Sequence, residues 1–193
     1  MSKEEDILLI NQFINGNISA FDKLVLKYKN IVFNLCFKIL YNYEDAEDCS
    51  QEVFIKVYNA IKNFKFNSSF KTWLYTIALN TCRNRLKSIE YRFRKNKISL
   101  NNNLNPTGDP IEIHIPDNSY SPNDSLNNKE MENSIIKTIN DLPDKYKVLI
   151  ILKDIEEKSY EEIVTMTGLK IGTVKSILFR AREKLRVKLK GII

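Results

Sequence analysis

Hydrogen-bond donors are concentrated in the segment between residues 170 and 190. This segment holds eight Lys or Arg residues and one acid, Glu183, which gives a net of seven positive charges. Each phosphate that a cation neutralises releases counterions, so the segment favours binding to a polyanion. Lys and Arg can also donate hydrogen bonds to guanine edges in the major groove of DNA. The candidate contact residues are Lys170, Thr173, Lys175, Ser176, Phe179, Arg180 and Arg182.

Two short helices joined by a glycine turn would position these donors. Ser159 can cap the first helix, and Glu162, three residues later, can complete a capping box. Gly168 suits the left-handed turn that ends this helix. The pattern predicts a helix-turn-helix that binds duplex DNA, although a solvated hairpin with a basic tail would carry similar charge. The expected buried residues of the second helix are Val174, Ile177, Leu178, Ala181 and Leu185.

The composition agrees with a nucleic-acid partner. The chain has 193 residues, 43% of them hydrophobic, and a formal net charge of +6. Its first residues are charged and contain no long apolar run, so we expect neither a signal peptide nor a membrane span, and we predict a cytoplasmic protein.

Cysteine and histidine residues give no metal or disulfide motif along the sequence. Cys36, Cys49 and Cys82 are widely spaced, and His114 is the single histidine. We therefore interpret the cysteines as small buried hydrophobic residues and expect no metal and no other cofactor. No Ser/His/Asp set or Gly-rich phosphate loop is present in the sequence, so we predict that the protein is not an enzyme.

A change of composition divides the chain into two domains. Four of the five prolines lie between residues 101 and 124, among Asn, Asp and Ser residues, and residues 98–130 carry five acids against one lysine. This composition predicts a flexible acidic linker. The expected organisation is all-α, with helical domains at 1–90 and 131–193 joined by a linker at 91–130.

Helical periodicity is clear in both predicted domains. Apolar residues recur at spacings of three and four from Phe21 to Ile39, from Ala46 to Ile61 and from Leu74 to Leu86. After the linker, Pro143 is expected to open a further helix ahead of the helix-turn-helix. No Gly or Pro interrupts residues 17–105.

Carboxylates form a stripe along the second of these helices. Asp45, Asp48 and Glu52, with Gln51 beside them, lie off its apolar face, and we call this set the acidic stripe. Acids near a helix N-terminus are stabilised by the macrodipole, so the stripe is explained equally by a solvated helix start. The alternative is a docking face for a basic protein, where opposed charge gives specificity. Spacing alone does not decide between them.

Aromatic, amide and cationic residues share one face of the third helix and the loop before it. Rings that stack on bases, beside cations that follow a backbone, are typical of single-stranded nucleic-acid binding. Trp73 and the phenylalanines are equally explained as core residues. The candidate residues are Phe64, Phe66, Phe70, Trp73, Thr76, Asn80, Arg83, Asn84 and Lys87.

Five motifs in order resemble an extracytoplasmic-function sigma factor of the sigma-70 family. The motifs are D-A-E-D-C-S-Q-E-V-F from Asp45, F-K-T-W-L-Y-T-I-A-L-N-T from Phe70, L-P-D-K-Y-K-V-L from Leu142, S-Y-E-E-I from Ser159 and G-T-V-K-S-I-L-F-R-A-R from Gly172. The likeness covers nearly the whole chain except the linker. It implies a subunit of bacterial RNA polymerase that directs promoter-specific initiation.

The resemblance also implies roles for the candidate residues. Asp45, Glu47, Asp48, Gln51 and Glu52 match the motif that binds the coiled coil of the polymerase β′ clamp. The 64–70 loop and the third helix match the parts that capture and read the melted minus-ten element. The helix-turn-helix matches the part that reads the minus-thirty-five duplex, and the apolar surface of the same domain would bind the β flap. An anti-sigma factor is a further partner of the family, although no residue here indicates one.

One departure from the family pattern and one rival function remain open at this point. Ile177 stands where many relatives carry Arg, so the resemblance implies no guanidinium contact with DNA from this position. The rival is a stand-alone regulator in which the N-terminal domain senses a ligand or dimerises. Such a domain would need a pocket or a phospho-acceptor site in place of the acidic and aromatic faces.

Overall fold

The computed structural model describes residues 3–99 and 135–190, with side chains for 3–88 and 135–190. Within these ranges the chain forms helices and loops and contains no strand, which confirms the all-α prediction. The first group of helices is α1 (Lys3–Ile14), α2 (Ile18–Leu40), α3 (Tyr43–Ala60), a 3-10 turn (Ile61–Asn63) and α4 (Phe70–Ser99). The second group is α5 (135–140), α6 (Asp144–Ile150), a π-helical turn (Ile151–Ile155), α7 (Tyr160–Thr167) and α8 (Ile171–Leu189).

The N-terminal core lies where α2, α3 and α4 pack together. The apolar positions predicted from helical spacing face this core, and most of them are fully buried. Val25, Ile31, Ile77 and Leu86 are only partly buried, at its edge. The buried residues among these predicted apolar positions are Phe21, Leu24, Tyr28, Val32, Leu35, Ile39, Ala46, Cys49, Val53, Val57, Ile61, Leu74, Ala78 and Cys82.

Helix α1 was not predicted, and it completes the N-terminal core. Leu9, Ile10 and Phe13 recur at helical spacing and are buried. The Asp6 carboxylate is also buried, where it accepts hydrogen bonds from the Tyr28 hydroxyl at 2.6 Å and the Lys27 amine at 2.7 Å. Paired in this way, the charge is stabilised inside the protein, so α1 is fixed to α2.

Helix α4 runs beyond the predicted end of the first domain at residue 90. It continues to Ser99, because no Gly or Pro interrupts the sequence there and nothing else stops the helix. The remainder of the predicted linker, 100–130, lies outside the described residues, as do 131–134.

The C-terminal helices form the predicted helix-turn-helix. The Ser159 hydroxyl accepts a hydrogen bond from the Glu162 amide at 3.1 Å, and the Glu162 carboxylate accepts one from the Ser159 amide at 2.9 Å. Gly168 ends α7 with a φ of 70°, in the left-handed region that disfavours a side chain. Pro143 precedes α6 as its N-cap residue. The predicted capping box and turn are therefore confirmed.

The two groups of helices contact each other around Glu156. Its carboxylate accepts hydrogen bonds from the Lys38 amine at 2.6 Å and the Tyr75 hydroxyl at 2.7 Å, while the Lys158 amine lies 4.8 Å from the centre of the Tyr75 ring. Burial disfavours the charged carboxylate, but the Lys38 and Tyr75 hydrogen bonds outweigh burial and lower the pKa of Glu156. Glu156 is thus a charged link between the domains. No helix within the described ranges is long and apolar enough to cross a membrane.

Candidate nucleic-acid and protein interfaces

The acidic stripe begins at the first turn of α3. The Asn42 side chain accepts a hydrogen bond from the Asp45 amide at 2.9 Å and so caps the helix. Ala46, Cys49 and Val53 face the core, which directs the carboxylates outward. Glu47, Asp48, Gln51 and Glu52 are exposed and Asp45 is half-buried.

Cations of the same domain already pair with much of this stripe. Arg85 of α4 contacts Asp45 at 3.4 Å and Asp48 at 2.8 Å. Lys56 contacts Glu52 at 2.7 Å, one turn along α3. Asp48 nevertheless remains 66% exposed at its side chain, so the surface is accessible to a partner. Sequence analysis missed Arg85, because the residue lies on a different helix.

The aromatic loop before α4 has two buried rings and one exposed ring. Phe64 and Phe70 are buried and pack against Trp73, with ring centres 5.0 and 5.8 Å from it. Phe66 is 42% exposed, at a φ of 57° that non-glycine residues adopt infrequently. Phe64 and Phe70 therefore hold the loop, and Phe66 is the ring that solvent reaches.

A small pocket lies between this loop and α1. Its volume is about 210 Å³, below the roughly 300–1,000 Å³ of typical small-molecule sites. The lining comes from one face of α1 and from the loop, and includes polar and aromatic groups. The lining residues are Lys3, Asp6, Ile7, Ile10, Phe64, Phe66, Asn67, Ser68, Ser69 and Phe70.

The predicted strand-binding face of α4 changes character along the helix. Trp73 and Thr76 are half-buried, and the Thr76 hydroxyl donates to the Thr72 carbonyl at 3.0 Å. Farther along, the polar side chains are exposed, and these are Asn80, Arg83, Asn84 and Lys87. The structure therefore places the six residues on one side of α4, with the exposed hydrogen-bond donors farther from its N-terminus than Trp73 and Thr76.

Helix α8 and its N-cap residue Lys170 expose all seven predicted contact residues. Phe179 is 69% exposed, whereas Ile177 is partly buried against the core. Val174, Leu178 and Ala181 are buried, whereas Leu185 is only partly buried. The exposed set, which we call the cationic face, is Lys170, Thr173, Lys175, Ser176, Phe179, Arg180 and Arg182.

One member of the cationic face is already paired. The Arg182 guanidinium donates to both oxygens of Asp154, at 2.5 and 3.2 Å. Such two-point pairing is geometrically favourable and occupies donors that a phosphate would need. Within the described residues, Lys170, Lys175 and Arg180 have no carboxylate partner.

Comparison with known proteins places both domains in one family. Residues 24–91 match sigma-70 region 2, and residues 132–185 match sigma-70 region 4. The RNA polymerase sigma-H factor of Pseudomonas aeruginosa is 34% identical over 193 residues, covering 100% of this chain and 98% of that protein. The chain belongs to the ECF sigma factors.

Further relatives carry the family name itself. The ECF sigma factor SigW of Bacillus subtilis is 36% identical over 184 residues, 95% of this chain and 96% of that protein. The ECF sigma-E factor of Escherichia coli K12 is 33% identical over 190 residues, 97% of this chain and 96% of that protein. The protein is thus an alternative sigma factor that directs transcription initiation by RNA polymerase.

Solved sigma factor structures share the fold. CnrH, in complex with the cytosolic domain of CnrY, has a TM-score of 0.66 at 22% identity, covering 97% of this chain and 98% of its own. The sigma factor RpoE of Bartonella quintana, in complex with the anti-sigma factor NepR, has a TM-score of 0.65 at 24% identity, covering 90% of this chain and 98% of its own. The all-α two-domain arrangement is therefore that of known sigma factors.

The core of region 2 holds a feature that sequence analysis missed. Cys36, Cys49 and Cys82 come from α2, α3 and α4, and their sulfurs all lie within 4.8 Å of one another. The Cys49 and Cys82 sulfurs are 3.6 Å apart. The prediction that these cysteines are buried is confirmed. Their proximity was not predicted, because they are far apart in the sequence and only helix packing brings them together. Hydrogen bonding from the other two thiols lowers the pKa of Cys49.

Proposed function

We propose that this sigma factor divides promoter recognition between its two ends. Residues 1–90 bind polymerase and the minus-ten element, residues 131–193 bind the minus-thirty-five element, and 91–130 connect them. The observation that carries this proposal is the exposed cationic face of α8, opposite in charge to the acidic stripe on α3. Surfaces of opposite sign suit two different partners, one a polyanion and the other a basic protein.

The acidic stripe is the proposed docking surface for the coiled coil of the β′ clamp. Asp45, Glu47, Asp48, Gln51 and Glu52 would contact that partner, and Asp48 is the most exposed of the ion-paired acids on the stripe. A basic coiled coil would replace or share the cations that now pair with these acids. The apolar surface of the C-terminal domain, where Val187 is 70% exposed, would contact the β flap.

The small pocket between the aromatic loop and α1, which we call the loop pocket, is the proposed site for a flipped base of the minus-ten element. Phe66 would stack on the base while Phe64 and Phe70 form the floor, and Asn67 and Ser68 offer polar groups to the base edge. Removing a base from the stack costs a few kcal/mol, so a pocket formed before binding would reduce the further cost of capture. Trp73, Thr76, Asn80, Arg83, Asn84 and Lys87 would contact the adjoining strand.

The cationic face is the proposed reader of the minus-thirty-five duplex. Lys175 and Arg180 would donate to guanine edges or phosphates in the major groove, and Phe179 would make apolar contact there. Lys170 and Thr173 lie near the N-terminus of α8, where backbone amides favour a phosphate. Arg182 would join these contacts only after separating from Asp154.

Three further properties belong to the same proposal. The protein acts in the cytoplasm, where its polymerase is, and has no catalytic activity of its own. An anti-sigma factor would regulate it by covering one or both DNA and polymerase surfaces, as the complex of RpoE with NepR suggests by analogy.

Run-off transcription with purified core polymerase tests the proposed function. The full-length protein should direct initiation on fragments of its own genome, and core polymerase alone should not. Failure to initiate on any fragment would overturn the proposal, and promoter binding that requires a separate sigma factor would favour the stand-alone regulator.

The loop pocket can be tested in the same assay. Phe66→Ala should reduce initiation on duplex promoters more than on templates already melted at the minus-ten element. Leu26→Ala is the control, because it also removes an exposed apolar side chain, 65% exposed, but on α2 and outside the pocket lining. Equal loss on both templates would count against a role in base capture.

A further inference from the structure

We infer that the three cysteines in the core of region 2 form a binding site for a soft monovalent metal ion, Cu(I). Their sulfurs lie within 4.8 Å of one another and converge from three different helices. A metal–thiolate bond of about 2.3 Å in a trigonal plane separates sulfurs by about 4 Å. The Cys49 and Cys82 sulfurs are 3.6 Å apart and the other two separations are at most 4.8 Å, which is compatible with that value.

The donor set selects the ion. Within the described residues, no other His, Cys, Asp or Glu ligand atom joins the three sulfurs. A structural Zn²⁺ site is almost always completed by four ligands, so a site with three thiolates alone is short of one. Soft thiolates favour Cu(I). The hydroxyl of Thr81, next to Cys82 in the sequence, is already engaged: it donates to the Ile77 carbonyl at 2.9 Å and accepts from the Lys56 amine at 3.1 Å.

The site is closed to water, which would otherwise compete with the thiolates as a ligand of the ion. All three cysteines have no solvent-exposed surface, and Ala46, Val53 and Ala78, within one turn of them, are equally buried. Glu52 and Arg85 both act electrostatically on Cys49, the carboxylate opposing a thiolate there and the guanidinium favouring it. Each thiol that binds the ion releases its proton to solvent, up to three protons per ion.

The position of the site gives it a structural consequence. Cys36 lies on α2, Cys49 on α3 directly after Asp48, and Cys82 on α4, which carries the proposed strand-binding face. A bound ion would therefore fix the packing of the helix that carries the acidic stripe against the helix that carries the DNA face. Because the ion binds the folded protein, it should raise the thermal midpoint of unfolding.

Copper loading of the full-length protein tests this inference. Reduced protein would be dialysed without oxygen against Cu(I) buffered by bicinchoninate, and the bound copper measured by elemental analysis and X-ray absorption. We expect one copper per chain, three sulfur neighbours at about 2.3 Å and a higher thermal midpoint. Copper absent from the chain, or bound with nitrogen or oxygen neighbours, would overturn the inference, as would stronger retention of Zn²⁺.

Single substitutions locate the ion. Cys36→Ala, Cys49→Ala and Cys82→Ala should each abolish three-sulfur coordination and the copper-induced rise in thermal midpoint. Thr81→Ser is the matched control, because Thr81 is buried beside Cys82 on α4 but is not a thiol. This variant should retain both the three-sulfur coordination and the copper-induced rise in thermal midpoint. Circular dichroism shows whether each variant is folded; if none is, the coordination number in the wild-type protein decides the question alone. Full copper loading in a folded cysteine variant would place the ion elsewhere.

Discussion

The acidic stripe of region 2 and the cationic face of region 4 differ in how much of their charge is already paired. Asp45 and Asp48 share Arg85, and Glu52 pairs with Lys56. On α8, by contrast, the described structure gives a carboxylate partner to Arg182 and none to Lys170, Lys175 or Arg180. One surface is held by ion pairs within its own domain, and the other presents most of its cations to solvent.

This difference suits the partners that we propose for the two surfaces. DNA carries closely spaced phosphates, and free cations contribute to affinity through release of counterions from any sequence. A protein partner is distinguished by arrangement, and opposed charges that are fixed in position contribute mainly to specificity and association rate. Arg85 fixes two carboxylates of the stripe in space, so the proposed basic partner would have to compete with it. The comparison predicts different responses to charge reversal and to salt at the two surfaces.

The largest expected effect comes from reversing a charge on the acidic stripe. Asp48→Arg removes the most exposed of the paired carboxylates and adds a cation beside Arg85 and the basic partner. Loss of one member of a desolvated charge pair costs about 2–5 kcal/mol, so binding to core polymerase should fall at least thirtyfold. Fluorescence anisotropy with purified core polymerase measures this.

Two controls distinguish docking from a general loss of charge or of folding. Asp22→Arg makes the same reversal at an exposed acid on α2, near the other end of α3, and should leave polymerase binding unchanged. The Asp48→Arg protein should also bind minus-thirty-five duplex as the wild type does. Intact polymerase binding by Asp48→Arg would remove the stripe from the docking surface.

The helices that hold these surfaces were predictable because their sequence signals are local. The Ser159–Glu162 capping box and Gly168 lie within ten residues and specify a helix end by hydrogen bonding and backbone conformation alone. The apolar spacing of α2, α3 and α4 predicted which residues are buried. The outward direction of Asp48 and Lys175 followed from the same periodicity.

The features that sequence could not give depend on contacts between distant helices. Arg85 meets Asp48 across 37 positions, and Tyr75 meets Glu156 across 81. The same packing joins Cys49 to Cys82. The burial of the loop phenylalanines was unpredictable for a related reason. Spacing in a loop does not specify which rings turn inward, so the sequence did not show that Phe64 is buried and Phe66 is exposed. Helix α1 is the exception, because the spacing of Leu9, Ile10 and Phe13 is itself a local helical signal.

A smaller effect is expected on the cationic face. Lys175→Ala removes an exposed cation, and if its amine contacts a phosphate, the slope of log affinity against log salt should fall by about 0.9. Titrations of full-length protein with promoter duplex between 50 and 200 mM salt would measure this slope. Lys137→Ala, an exposed lysine on α5, is the control and should not change it. An unchanged slope in Lys175→Ala would mean that Lys175 does not touch the backbone.

The link between the two regions should respond to charge and to pH. Glu156→Gln keeps a hydrogen-bond acceptor but removes the charge that pairs with Lys38, whose side chain is 37% exposed. We expect a loss of about 1 kcal/mol in unfolding free energy, near the upper end for accessible ion pairs, and a larger radius of gyration by small-angle X-ray scattering. Glu157→Gln, an exposed neighbour, is the control.

The pH dependence of this link has a defined sign. The pKa of Glu156 is lowered from its ordinary value of 4.5, so its contribution is complete above that pH and is lost as the pH falls through the folded-state pKa. Acidification below about 4.5 should therefore reduce the difference between wild type and Glu156→Gln. A difference that persists unchanged at lower pH would mean that charge at Glu156 does not hold the domains together.

The smallest expected effect is a gain in DNA binding from releasing Arg182, the cation of the cationic face that is ion-paired with a carboxylate. Asp154→Asn removes the negative charge that holds the Arg182 guanidinium and leaves the side chain free to reach a phosphate. The salt slope for promoter duplex should rise by up to about 0.9, the value of one phosphate contact. Arg182→Ala alone should change the slope little, because Asp154 already holds its guanidinium through two hydrogen bonds, and the double substitution should cancel the gain. If Asp154→Asn binds DNA as the wild type does, Arg182 lies outside the interface, and its pair with Asp154 serves only to connect α8 to the π-helical turn at Ile151–Ile155.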